Sequence, residues 1–246
     1  MPSVVVAATI FCFLFAGSLV GMALRAVIPQ HHLDSDTRDV IKLGVGLIGT
    51  MSALVLGLLV ASTKGSYDTK KSELAQWVGS AILLDRVLAH YGPETGEIRG
   101  IIRGAVAGMV ERDGLEQLDG AMPTGREVAY DKLQELEPHT DAQRGLQEQA
   151  KSLAIDLGRT RWLLYAQSGT SISKPFLVIV TFWLTVLCVS FGMFAPRNAT
   201  AFVALFISAV SVAGAMFLIL DLDHPFSGLM QIPDTPLRNA LVVLGN

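Results

Sequence analysis

Four stretches without a formal charge constrain this chain more than any other feature. Met1 to Leu24, Leu43 to Thr63, Pro175 to Pro196 and Asn198 to Leu220 contain no Asp, Glu, Lys or Arg, although the chain carries 19 basic and 22 acidic residues. Each stretch is about 20 residues or longer, the length a helix needs to cross a hydrocarbon layer ~30 Å thick. A hydrophobic content of 51% and a mean hydropathy of +0.47 exceed those of ordinary soluble domains. The expectation is an all-α integral membrane protein with four transmembrane helices. The first stretch has no basic flank ahead of it, is longer than a signal-peptide core and lacks a small-residue cleavage site, so it reads as a retained helix.

Four spans place both termini and the long segment between spans 2 and 3 on one side of the membrane. Near the span ends that side carries Lys64, Lys70, Lys71, Arg159, Arg161, Lys174 and Arg238, against Arg25, Arg38, Lys42 and Arg197 on the other. The excess of basic residues predicts a cytoplasmic location for the long segment and for both termini. The expected organisation is spans 1 and 2 over residues 1–63, a helical cytoplasmic domain over 64–174, spans 3 and 4 over 175–224, and a cytoplasmic tail over 225–246.

The inserted segment holds 14 basic and 16 acidic side chains and no strand-like alternation. Leu74, Trp77, Val78, Ala81, Leu84 and Leu88 recur at helical spacing on one face. Pro93, followed by Glu94 and Glu97, suits the first turn of a further helix running to about Arg112. Thr124–Glu127 (TGRE) and Thr140–Gln143 (TDAQ) fit the capping box, in which an N-cap hydroxyl and the side chain three residues on satisfy each other's backbone donors. Trp162, with Arg159 and Arg161, reads as a membrane-interface anchor ahead of span 3.

No ionisable residue interrupts a span, which argues against proton-driven pumps and motors. No nucleophile–base pair or metal spacing nominates an enzyme. His31 and His32 lie near Asp34, Asp36 and Asp39 on an outer loop, without metal-ligand spacing, and Cys12 and Cys188 are read as small apolar residues. Nothing in the charge pattern points to nucleic acid. In span 2, Gly49, Ala53, Gly57 and Ala61 recur every fourth residue as a small-residue stripe for close helix packing, with Thr50 and Ser52 adding hydroxyls. That stripe fits either packing within one subunit or a helix placed around an oligomer axis. Span 1 offers a similar face at Gly17 and Gly21. Span 4 ends at Asp221 and Asp223 before Pro225, which stops the helix and leaves carboxylates beside unsatisfied carbonyls. These acids are therefore solvated, paired with a base, or a candidate cation site; no other cofactor is expected.

The order of parts, and the element DHPFSG (Asp223 to Gly228) after the last span, resemble the bestrophin family of ion channels. The passages LDRVLAHYGPE (Leu84 to Glu94), RWLL (Arg161 to Leu164), FGMFAPRNAT (Phe191 to Thr200) and PLRNAL (Pro236 to Leu241) resemble the bacterial bestrophin-like family over nearly the whole chain. The resemblance implies a bestrophin-like fold in a bacterial inner membrane, a homo-oligomer (a pentamer) in the lipid bilayer, and a central ion path lined by span 2. Its candidate pore-lining residues are Ile48, Met51, Ser52, Leu54, Val55 and Leu58, although span 2 lacks the bulky aromatics of bestrophin necks. Asp221 and Asp223 match the place of a calcium-binding acidic cluster in animal members, without its longer acidic run. Repeated around an oligomer they would form a negative ring, which tilts the expectation towards permeating cations. The alternative function is a membrane-anchored scaffold whose helical domain binds a partner protein.

Overall fold

The computed structural model describes residues 3–28, 35–111, 124–166, 172–226 and 228–244. The described residues form helices and connecting turns, with no strand among them. In chain order the α-helices are α1 (Ser3–Val27), α2 (Ser35–Tyr91), α3 (Gly96–Glu111), α4 (Thr124–Glu135), α5 (Asp141–Ala166), α6 (Lys174–Phe194), α7 (Ala199–Leu222) and α8 (Thr235–Val243), with one 3₁₀ turn at Pro93–Thr95. Four helices (α1, α2, α6 and α7) are long and apolar enough to cross a membrane. The chain forms two compact units, Met1–Ser66 with Ser171–Asp223, and Tyr67–Thr170 with His224–Asn246.

In the first unit, Ile10, Leu14, Leu59, Val180, Leu184 and Met216 lead a buried apolar cluster. Apolar burial drives little in lipid, so close packing and hydrogen bonds hold such a bundle together. The α1–α6 crossing shows how. A Cβ at Gly21 would land on the Val189 carbonyl oxygen, with the Met193 nitrogen at 2.9 Å. A Cβ at Gly192 would land on the Ser18 carbonyl oxygen, with the Met22 nitrogen at 3.1 Å. Backbone thus meets backbone where either helix lacks a side chain. Beyond this crossing, Arg25 donates to the carbonyls of Phe194 and Ala195, and Arg197 donates to Met22 O at 3.2 Å. Arg25 thereby satisfies carbonyls left open at the end of α6. Phe11, Phe15, Phe202 and Phe206 join α1 to α7 through edge-to-face contacts with ring centroids 5.5–5.6 Å apart. The Asn198 side chain caps α7 by accepting from Ala201 N at 2.8 Å.

The second unit has a conventional apolar core. Leu74, Trp77, Val78, Ala81, Leu84 and Leu88 are all buried, as their spacing predicts. They do not belong to a separate helix, because α2 is unbroken over 57 residues. No proline occurs between Leu43 and Tyr91, and isolated glycines such as Gly65 cost only about 1 kcal/mol each. The TDAQ box forms with one change: Gln143 N donates to Thr140 Oγ1 at 3.1 Å, while Gln143 Oε1 accepts from His139 N rather than from Thr140. The glutamines of α5 also close two other helix ends. Gln143 Nε2 donates to Tyr91 O, and Gln147 Nε2 donates to Leu133 O and Leu136 O. The α4 helix begins at Thr124, but the side chains of the TGRE box lie outside the described residues. The same holds for His31, His32 and Asp34, and for the Asp36 side chain.

Candidate pore helix and helix-end carboxylates

At 3.6 residues per turn, Ser52, Leu59 and Thr63 mark one side of α2, and all three are buried. Val45, Ile48, Val55 and Leu56 flank them and pack on the same cluster. The opposite side is open: Leu54 is 76% exposed, Leu58 63% and Met51 48%. The six candidate pore residues therefore do not share one face. Ile48, Ser52 and Val55 turn towards the chain's own bundle, whereas Met51, Leu54 and Leu58 turn away from it. Ser52 Oγ is buried without a hydrogen-bond partner among the described residues. Thr50, on the open side, donates back to Leu47 O at 2.9 Å.

The small residues of α2 behave unlike those of α1. A Cβ at Gly57 would meet nothing within 4 Å, and one at Gly49 would meet only Leu187 Cδ2, at 3.9 Å. Ala53 and Ala61 are exposed. Apart from Gly49, this stripe makes no close packing among the described residues, whereas Gly17, Gly21 and Gly192 do. Gly192 was not singled out by sequence reasoning. Only its place opposite Gly21 in the fold reveals its role.

Asp221 and Asp223 are 2% and 4% exposed. Both residues take part in interactions, so neither is without a partner. Asp223 caps α7, its N–H reaching Ile219 O at 3.2 Å. Within the single chain both carboxylates are enclosed at the end of α7. No cluster of three or more metal-ligating side chains occurs among the described residues. The turn after α7 does follow from its residues: Pro225 O accepts from Ile232 N at 2.9 Å, and Gly228 sits at φ 119°, a region that favours glycine.

An ion pair between the buried Asp85 and the half-buried Arg99 links α2 to α3. Arg99 Nε donates to Asp85 Oδ1 at 2.7 Å and Nη2 to Oδ2 at 3.0 Å, with the Asp85 side chain 2% exposed. The hydrogen bond to Asp85 raises the guanidinium's pKa above its ordinary value, against the opposing effect of burial. Asp85 lies in the LDRVLAHYGPE passage, but fourteen residues of separation hid its partner. Nearby, the Tyr91 hydroxyl is buried with no hydrogen-bond partner among the described residues. Burial first, then the Glu94 and Glu137 carboxylates, push its pKa above the usual phenol range.

A family profile described as the bestrophin-like domain matches residues 12–237, nearly the entire chain. The chain belongs to the bestrophin-like family. Its fold is shared with crystal structures of a bacterial bestrophin homologue from Klebsiella pneumoniae, each carrying a mutation. One is 15% identical at a TM-score of 0.69, covering 97% of this chain and 99% of that one. A second is 14% identical at 0.67, covering 96% and 99%. A crystal structure described as a membrane protein is 14% identical at 0.69, covering 98% and 99%. No curated protein matches the chain in sequence.

Proposed function

We propose that this protein is the subunit of a homo-oligomeric ion channel, taken as a pentamer from the family resemblance, in which the open face of α2 surrounds the ion path. The observation that carries this reading is the unpartnered face of α2 within the membrane stretch. It combines bulky residues (Met51, Leu54, Leu58) with small ones (Ala53, Gly57, Ala61), all of them exposed among the described residues. In a closed ring each helix turns its centre line to the axis and its flanks to neighbours. The centre line of the open face runs through Thr50, Leu54 and Ala61, so these residues face the path. Met51 and Leu58 on one flank fit against Ala53 and Gly57 of the next copy. An apolar constriction of this kind passes ions when wetted and blocks them when dry. The excess of basic residues at the span ends supports a cytoplasmic location for the second unit and both termini.

Ion flux from liposomes reconstituted with the full-length protein tests this proposal. The expected result is flux that rises when Leu54→Thr replaces the apolar constriction with a hydroxyl. Silent liposomes, or flux unaffected by any change on the open face, would overturn it.

A further inference from the structure

Within the first unit, two guanidinium groups are held together where α1 leaves its charge-free stretch and α6 joins α7. Arg25 and Arg197 are the first charged residues beyond the windows that end at Leu24 and Pro196. Both therefore stand where a hydrocarbon layer gives way to lipid headgroups. Neither is a loose surface side chain. Arg25 donates from α1 to the Phe194 and Ala195 carbonyls, and Arg197 donates back to Met22 O at 3.2 Å. Met22 and Arg25 lie one turn apart on α1, so these reciprocal bonds keep the two groups within about two helical turns of each other.

Their charge exceeds what the backbone takes up. Arg25 sits in the last turn of α1 and donates to the end of α6, and each of these helix C-termini carries about half a negative charge. The two ends together offset one guanidinium. Arg197 donates to a carbonyl inside α1 and immediately precedes Asn198, the N-cap of α7, where the helix end is itself positive. Among the described residues no carboxylate pairs with either arginine, and Asp39, near the start of α2, is engaged by Lys42 at 3.0 Å. At least one positive charge is left over. Leu24 on α1 and Phe191 on α6, close in the chain to the two groups, are exposed apolar side chains.

We propose that Arg25 and Arg197 form a binding site for the phosphate of an anionic phospholipid, whose acyl chains lie against the apolar surface that carries Leu24 and Phe191. The planar guanidinium fork matches phosphate oxygens, and each group keeps N–H donors beyond those given to carbonyls. The depth of the pair selects a headgroup, and its excess charge selects a lipid with a net negative one. This site is independent of the ion path and stands whether or not α2 lines a pore.

The test is native mass spectrometry of the full-length protein in mild detergent, titrated with phosphatidylglycerol, phosphatidylcholine or inorganic phosphate. Wild type should bind phosphatidylglycerol about fivefold more tightly than phosphatidylcholine, whose choline offsets the phosphate charge. Arg197→Gln should lower the phosphatidylglycerol affinity about fivefold, the share of one basic side chain at a membrane surface. Arg38→Gln, which removes another exposed arginine, should leave that affinity unchanged. Equal affinity in wild type and Arg197→Gln, or equal losses in Arg197→Gln and Arg38→Gln, would overturn the site. Inorganic phosphate that displaces phosphatidylglycerol at equal concentration would assign the pair to a free anion and overturn the lipid. Phosphatidylcholine bound by wild type as tightly as phosphatidylglycerol would overturn the proposal whether or not the variant assembles.

Discussion

Glycine-to-alanine changes at Gly21 and Gly57 add the same methyl group to two membrane helices, yet the structure assigns them opposite consequences. At Gly21 the new Cβ falls on the Val189 carbonyl, and the Val189 carbonyl carbon and Met193 nitrogen stand at 2.9 Å. Ordinary contact begins near 3.4 Å, and all three atoms are backbone, so no side chain can rotate away. Relief requires α1 and α6 to separate, which also loosens the arginine hydrogen bonds to the Phe194, Ala195 and Met22 carbonyls. Overpacking of this kind costs about 3 kcal/mol, the upper part of the usual range, because the obstruction is rigid. For a chain of this size that lowers the midpoint of thermal unfolding by roughly 6–12 °C. At Gly57 nothing lies within 4 Å, and alanine is the better helix former by about 1 kcal/mol. The subunit should hold its stability there, while the assembled particle is weakened by a methyl group at the contact between copies. The assay is thermal unfolding of detergent-purified protein followed by size-exclusion chromatography, which reports subunit loss and particle size together. A Gly21→Ala midpoint within 2 °C of wild type, on the scale of ~0.5–1 kcal/mol, would refute the backbone-contact reasoning.

Other sites give further expectations. Arg99→Met should destabilise the second unit by about 3–5 kcal/mol by stranding the buried Asp85 carboxylate, and completing an apolar pair with Asp85→Leu should recover much of that loss in denaturant titrations. Gly92 has φ 147°, and a Cβ there would strike the Glu94 carboxylate; Gly92→Ala should cost about 1–3 kcal/mol in the same titration. The folded-state pKa of Tyr91 lies above its ordinary value of 10.0. Its neutral phenol therefore contributes stability that is full below about pH 10 and lost as pH rises through the folded pKa. Tyr91→Phe should fold as well as wild type at pH 7 and lose stability less steeply above pH 10, as read by unfolding midpoints from pH 8 to 11.5. Equal alkaline slopes would remove Tyr91 from the account.

The four spans were legible because charge is excluded from lipid, and this leaves a one-dimensional trace in Met1–Leu24 and the other charge-free windows. The core face through Leu74, Trp77 and Leu88 was legible for a similar reason: helical periodicity writes burial into spacing. What escaped depends on which surface meets which. Small-residue stripes in α1 and α2 look alike in sequence, but only Gly17 and Gly21 face another backbone. Asp85 and Arg99 carry no mark of their pairing until α2 turns back into α3 at Gly92. The unbroken run of α2 was missed because a change of composition near Lys64 looks like a boundary, while a helix ends only where its backbone must. Asp221 and Asp223 stood correctly at a helix end, but their enclosure comes from tertiary neighbours that periodicity does not record.

The symmetry of the purified full-length particle in a lipid nanodisc, imaged with side chains visible along its axis, tests the central proposal most directly. The expected particle is a closed ring of identical subunits with Thr50, Leu54 and Ala61 of α2 facing the axis. Ser52, Leu59 and Thr63 should face away from that axis, towards each subunit's own bundle. A monomeric particle, or a ring in which the Leu54 side of α2 meets lipid, would contradict it.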